Sequence, residues 1–320
     1  MASKGAQLTV DVWVDRSKSL RILLFGKTGA GKSSLINNLL GEEVAKEGGT
    51  VYGETKLVDG YTKVITLIVN DVNVTLWDTP GLQDPFRDGK QTIKEIAEKC
   101  GIGDIDLFVY CTRFDETRLG LGDADCIRDI TKAFGDGIWK TALIALTFAN
   151  EATVPPSNKT QNLKEYFESR EKEWKEALHL IIKDNVNLLG GELSVDKIDI
   201  IPVIPTGYGD RPLPGDTNWF ANFWAACLLQ VKFFTIPAVI RAASNRVQSK
   251  LERAITARIV GQRVAEVGDH IWQELEDALQ TDGPGNRKQI LPQLPIVATA
   301  EWAGILIEAI QNDLQIRMAS

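Results

Sequence analysis

Apolar positions recur with two periods along the chain, and the switch between them sets out the elements. Leu20–Phe25 is a short apolar run that reads as a buried strand. After a glycine-rich stretch, Leu35, Ile36, Leu39 and Leu40 recur at helical spacing, and Gly41 offers a stop. Lys63–Val69 and Asn73–Trp77 read as two strands around a turn at Asn70-Asp71. A helix over Thr92–Lys99, a strand over Ile105–Tyr110, a helix over Asp123–Phe134 and a strand over Thr141–Phe148 follow. Leu163–Lys183 is a long amphipathic helix, and Ile198–Ile204 reads as a last strand. Strands alternating with helices predict an α/β fold of three layers, with a mostly parallel sheet covered on both faces. Ligands then sit at the carboxyl ends of the strands.

The two ends of the chain read differently. Gln7–Val14 alternates, so residues 1–19 form an arm or an added strand. Beyond about residue 222 strand signals fade. Gln248–Val267, His270–Gln280 and Ala298–Gln315 read as helices, with a linker at Thr281–Asn286. The expected division is an arm (1–19), a nucleotide-binding domain (20–222) and a helical C-terminal region (223–320).

The glycine-rich stretch carries the chemistry. Gly26-Lys27-Thr28-Gly29-Ala30-Gly31-Lys32-Ser33 fits G-x-x-x-x-G-K-[ST], between a strand and a helix as that motif requires. It marks a P-loop NTPase. Glycines let main-chain N–H groups converge on phosphate oxygens where a Cβ would obstruct them. The phosphate-binding set is Lys27, Thr28, Gly29, Ala30, Gly31, Lys32, Ser33 and Ser34. Lys32 reaches the β- and γ-phosphates and the Ser33 hydroxyl ligates Mg²⁺.

A second set follows. Asp78-Thr79-Pro80-Gly81, after a strand, is the D-x-x-G of a GTPase G domain: the aspartate holds Mg²⁺ and the Gly81 N–H senses the γ-phosphate. Glu42–Tyr61, rich in Gly, Glu and Lys, suits a mobile loop over the phosphates. Thr55 within it is placed to ligate Mg²⁺ when the γ-phosphate is present, with Thr50 its rival.

The base end departs from the usual pattern. Where a GTPase carries [NT]-K-x-D, this chain reads Thr147-Phe148-Ala149-Asn150. Asn150 has one acceptor oxygen and no charge, so it satisfies one guanine donor and not both. Phe148 can stack on a base, and Thr206-Gly207 can offer N–H groups to it. Guanine, adenine and mixed preference all stay open on these residues. Leu82 stands where Ras-type enzymes have a water-orienting glutamine, with Gln83 one place later. Arg113 and Arg118 follow the strand ending at Tyr110, and an inserted arginine is worth about 10³–10⁵ in rate. The catalytic set is Lys32, Thr55, Gly81 and Arg118, and the metal set is Ser33, Thr55 and Asp78.

Composition narrows the alternatives. The 320 residues carry a net charge of −7, which argues against a broad nucleic-acid surface. Four cysteines without a C-x-x-C pair suit a reducing compartment, and two histidines without ligand spacing argue against zinc. No secretory leader follows Met1. The most apolar runs, Trp219–Ile240 and Leu294–Ile310, are broken by charges or proline and read as core or interface helices rather than spans.

The order G-K-T-G-A-G-K-S-S, D-T-P-G-L, Tyr110-x-x-Arg113-Phe114-Asp115 and Leu146-Thr147-Phe148-Ala149-Asn150 resembles the paraseptin GTPases. These are the immunity-associated nucleotide-binding proteins and the chloroplast outer-envelope preprotein-import receptors. The likeness runs over roughly residues 18–230. Phe134-Gly135, Ile138-Trp139-Lys140, Pro214-Gly215 and Trp219 add to it. The resemblance implies a GTP/GDP-binding dimer packed face to face across the nucleotide sites, with Arg118 pointing across and Thr55 as the switch threonine. Ile204 stands near the place of an acidic residue of the import receptors, and their membrane anchor is not seen here. Receptor function at a plastid is therefore not carried over. The expectation is a cytoplasmic protein, with peripheral membrane association as an addition, and a protein partner at the C-terminal helices. Intrinsic turnover should be slow, about 10⁻⁴ to 10⁻² s⁻¹. Two other readings stay open: a nucleotide-gated scaffold with negligible turnover, and an NTPase of relaxed base specificity.

Overall fold

The computed structural model describes residues 19–46, 59–66, 71–83, 88–116, 118–155, 162–209, 212–214, 219–231, 235, 238 and 239. Thr50, Thr55, the arm and the helices expected beyond residue 240 lie outside these. The chain divides into two compact units. One comprises Arg21–Thr62 and Thr75–Ala226 and carries the site; the other comprises Met1–Leu20, Lys63–Val74 and Cys227–Ser320.

The sheet has six strands in the order β2-β3-β1-β4-β5-β6. They are β1 (Ser19–Phe25), β2 (Asp59–Thr66), β3 (Asp71–Asp78), β4 (Leu107–Arg113), β5 (Ala142–Thr147) and β6 (Val203–Pro205). The helices are α1 (Lys32–Leu40), α2 (Gly89–Cys100), α3 (Leu121–Phe134), α4 (Leu163–Leu188), α5 (Val195–Asp199) and α6 (Trp219–Gln230). β1, β4, β5 and β6 are parallel. All of β5 and all but the last residue of β4 are buried, as strands covered on both faces must be.

Register aligns the ends of these strands. Phe25 pairs with Tyr110, Arg113 with Thr147, and Leu146 with Pro205. The segments that follow, at Gly26, Phe114, Phe148 and Thr206, therefore emerge along one edge. This is where the α/β rule puts a ligand.

β4 continues three residues beyond the expected Tyr110, because Cys111, Thr112 and Arg113 pair with Ala145, Leu146 and Thr147. The strand expected over Ile198–Ile204 is instead α5 followed by β6. Its alternation is misleading: Ile198 is buried within a short helix while Ile200, just past the helix end, is exposed. Pro202 lacks an N–H, but its carbonyl accepts from the Ile144 N–H at 2.8 Å and opens the strand.

α4 is held from within. Its Trp174 and Phe167 rings lie 6.1 and 4.9 Å from Phe114. The buried Arg170 donates to the Phe114 carbonyl at 3.1 and 3.0 Å and to the Tyr166 hydroxyl at 3.0 Å. It also donates to the Glu116 carbonyl. α4 thereby fixes the backbone that leaves β4.

Candidate functional site

The loop from Gly26 to Ser33 leads from β1 into α1. Gly29 and Gly31 have φ of 79° and 75°, a region that disfavours a Cβ. A Cβ on Gly31 would stand 2.6 Å from the Phe148 ring and 3.1 Å from Thr147. Ala30 is buried, and its carbonyl accepts from the Thr147 hydroxyl at 2.9 Å. The loop is thus pressed onto the end of β5. Lys32 is buried, and its ammonium donates to the Gly26 and Lys27 carbonyls at 3.3 and 3.1 Å. Ser34 lies in the first turn of α1, where its carbonyl accepts from Asn38.

The segment after β3 lies along this loop. Thr79 donates to the Leu24 carbonyl at 2.8 Å, and the Leu82 N–H donates to the Gly26 carbonyl at 3.1 Å. A Cβ on Gly81 would stand 2.4 Å from the Thr28 nitrogen, so only glycine fits there. The Thr28 hydroxyl is buried with no hydrogen-bond partner. The Ser33 hydroxyl donates to Asp78 Oδ2 at 2.6 Å. One hydroxyl and one carboxylate at the foot of a glycine cradle are the oxygen donors that Mg²⁺ takes when substrate phosphates complete its shell.

The base end is built from side chains already engaged. Phe148 has a left-handed backbone (φ 55°). The Arg113 guanidinium sits 4.2 Å from its ring centroid and Tyr208 lies 5.5 Å away. Arg113 is itself held bidentately by Asp115, at 2.9 and 2.5 Å. Asn150 clamps the Tyr208 backbone: its Oδ1 accepts from the Tyr208 N–H at 2.9 Å and its Nδ2 donates to the Tyr208 carbonyl at 2.7 Å. The Thr206 N–H donates to the Leu146 carbonyl at 2.8 Å and is spent on the sheet. Gly207 packs so closely that a Cβ would meet the Trp219 indole nitrogen at 2.7 Å. Gln83 donates to Asp129 on α3 at 2.9 Å. Arg118 is exposed.

A third group brings in residues that the sequence reading passed over. Asp123, in the first turn of α3, is wholly buried. Its Oδ1 accepts from the Tyr110 hydroxyl and the Thr112 hydroxyl, each at 2.8 Å. Its Oδ2 pairs with the Lys27 ammonium at 3.1 Å, and Lys27 also meets Glu116 at 2.5 Å. Burial lowers the Lys27 ammonium, but Glu116 and Asp123 outweigh it and hold it above its usual value. A tyrosine in an apolar strand and an aspartate opening an apolar helix were the available signals, since each needs a buried partner.

This fold and this cradle define a nucleotide-binding protein of the P-loop GTPase class. A family model described as the AIG1 family matches residues 20–187, and the chain belongs to that family. It is 37% identical over 147 residues to the translocase of chloroplast 34 homolog of Chlamydomonas reinhardtii, covering 43% of this chain and 37% of that protein. Against translocase of chloroplast 34 of Arabidopsis thaliana it is 30% identical over 220 residues, 64% of each chain. The chain thus spans between about a third and two thirds of these two relatives' length. Among solved structures, Toc33 of Arabidopsis thaliana with Mg²⁺ and GMPPNP aligns with a TM-score of 0.52 and 22% identity, over 76% of this chain and 94% of that one. A structure reported with the finding that dimerization is important for the GTPase activity of atToc33 and psToc159 aligns with a TM-score of 0.54 and 22% identity, over 77% and 96%. These likenesses support the fold. The expectation of a cytoplasmic protein is overturned: the relatives are named as chloroplastic proteins. No helix among the described residues is long and apolar enough to cross a membrane.

Proposed function

We propose that this protein binds GTP and GDP with Mg²⁺, hydrolyses GTP slowly and acts as a nucleotide-dependent, dimerising switch of the paraseptin group in the TRAFAC class. The Ser33–Asp78 contact, made where Gly81 presses on Thr28 of the same glycine loop whose Gly26 carbonyl holds Lys32, carries this reading. Mg²⁺, when bound, would offset the negative charge of the phosphate oxygens. Ser33 and Asp78 would hold it, joined by Thr55. Lys32 exchanges the carbonyls of its own loop for phosphate oxygens, and main-chain amides of Lys27–Ser34 line the phosphates. The Gly81 N–H reads the γ-phosphate. Arg118, exposed on the connection after β4, reaches toward a second copy across the nucleotide face. The solved structure with Mg²⁺ and GMPPNP supports the nucleotide, and the one tied to dimerization supports the pairing.

A second reading draws on one observation. Leu82 is buried and Gln83 is engaged by Asp129, so neither orients a water as the glutamine of Ras-type enzymes does. That favours a nucleotide-gated scaffold with negligible turnover. Residues 223–320 then supply the contact with a protein partner. The relatives' names support a place at the chloroplast protein-translocation machinery. The test is to identify the nucleotide that co-purifies, follow its fate over hours with Mg²⁺, and measure the mass of the protein in solution. Bound GDP that forms from GTP, with a dimer mass in the GTP-analogue state, supports the switch. GTP that survives supports the scaffold.

A further inference from the structure

The Lys27 ammonium joins two parts of the chain that have separate tasks. Lys27 lies in the phosphate loop, between Gly26 and Thr28. The two carboxylates it meets bracket the connection between β4 and α3: Glu116 lies on it, at 2.5 Å, and Asp123 in the first turn of α3, at 3.1 Å. Arg118 lies between them in sequence. We propose that Lys27 is a positioning residue that fastens the phosphate loop to this connection and thereby sets the place of Arg118. The inference rests on the dimerising-switch reading above for the task of Arg118, but not for the fastening itself.

The fastening is rigid at both ends. Asp123 is wholly buried, and the Tyr110 and Thr112 hydroxyls fix its carboxylate from the end of β4. The Glu116 backbone is fixed by Arg170, which donates to its carbonyl from α4. Arg170 reaches the connection only on its α4 side, through Phe114 and Glu116. Lys27 ties it to the phosphate loop. A compact ammonium with three donors can meet two carboxylates and keep a donor over. A solvated surface lysine would do no such work. Here the Lys27 side chain is 17% exposed and Asp123 is 0% exposed, so removing either partner strands a desolvated charge. Two carboxylates against one ammonium also leave the cluster negative. It is therefore an unfavourable neighbour for a triphosphate tail unless Lys27 stays in place to offset it.

The test compares Lys27→Met, which keeps the stem and removes the charge, with Lys27→Arg, which keeps it. Hydrogen exchange of the nucleotide-free protein is read over residues 114–122. Lys27→Met should raise exchange there about tenfold while α4 is unchanged, and Lys27→Arg should restore most of the protection. Self-association in the GTP-analogue state is then measured with and without Arg118→Ala. That substitution should weaken association about tenfold with Lys27 present and less than about twofold in Lys27→Met, because coupled residues are not additive. Unchanged exchange in Lys27→Met, or an Arg118→Ala effect of equal size in both backgrounds, overturns the proposal. If the protein takes up no nucleotide, the switch reading fails, and the exchange measurement still decides the fastening. Should Lys27→Met not fold, Glu116→Gln is read in the same way, since it removes one anchor and leaves the buried pair intact.

Discussion

The Ser33 hydroxyl and the Asp78 carboxylate stand 2.6 Å apart although 45 residues separate them. Ser33 lies in the first turn of α1 and Asp78 closes β3. Serine and carboxylate oxygens that meet across two elements at the foot of a phosphate loop are placed to share one cation. Asp78→Asn should therefore lower the affinity for GTP in Mg²⁺ by about 10–100-fold, the size usual for a damaged metal site. In excess chelator the two proteins should differ little. Titration with a fluorescent GTP analogue, with and without EDTA, makes the comparison. Equal affinities in Mg²⁺ would remove Asp78 from the metal set.

Gly31 has no room for a side chain. Its φ is 75°, and a Cβ would press on the Phe148 ring at 2.6 Å. Gly31→Ala should cost about 1–3 kcal/mol from backbone strain alone, with further loss from displacing Phe148. The thermal midpoint should fall, and nucleotide affinity should fall with it. Gly29→Ala is the control for the clash, because its φ is also positive but nothing lies within 4 Å of its Cβ. It should be the milder change.

Asn150 clamps Tyr208 through both ends of its amide. Asn150→Asp removes the donor and sets a carboxylate against the Tyr208 carbonyl, a loss of about 1–3 kcal/mol for an unpaired group. It should weaken all nucleoside triphosphates together without changing their order. Competition of labelled GTP by ATP, xanthosine triphosphate and inosine triphosphate reads this out. A selective gain for GTP in Asn150→Asp would show that position 150 faces the base directly.

His179 gives the fold a pH dependence. It is buried on α4, with Nε2 2.9 Å from the Ile201 carbonyl. Burial lowers its affinity for a proton below the usual histidine value, which the Ile201 carbonyl offsets only in part. The unfolded chain therefore takes up a proton near pH 6.5 while the folded protein does not, so stability is full above that pH and falls as the medium is acidified through it. Thermal midpoints measured from pH 7.5 down to 5.5 should decline, and His179→Gln should flatten the decline. An equal slope in the variant would place the effect elsewhere.

Much of the site was legible because its parts are local. The G-x-x-x-x-G-K-S loop, the strand before it and the helix after it lie within one continuous stretch, and glycines announce a backbone that only they adopt. Asp78 and Gly81 were legible because D-x-x-G follows an apolar strand. The element boundaries were less so. Ile198 and Ile200 imitate a strand, since two apolar residues one apart fit either period, and only the Pro202 carbonyl on Ile144 shows where β6 opens. Long-range pairing outside the motifs was not legible. Nothing near Asp123 in sequence says that Lys27 is its partner, and nothing near Asn150 says that Tyr208 takes both ends of its amide. Arg170 reads as one more charge on an amphipathic helix, yet it is buried against the carbonyls of Phe114 and Glu116.

The central claim is that main-chain amides, the Lys32 ammonium and the Ser33 hydroxyl grip a triphosphate. Equilibrium binding of a fluorescent GTP analogue to the intact chain and to Lys32→Ala, in the same Mg²⁺ buffer, tests it most directly. Losing a charge-assisted contact of about 1.5–3 kcal/mol or more should weaken binding at least about tenfold. An affinity untouched by Lys32→Ala would contradict the account.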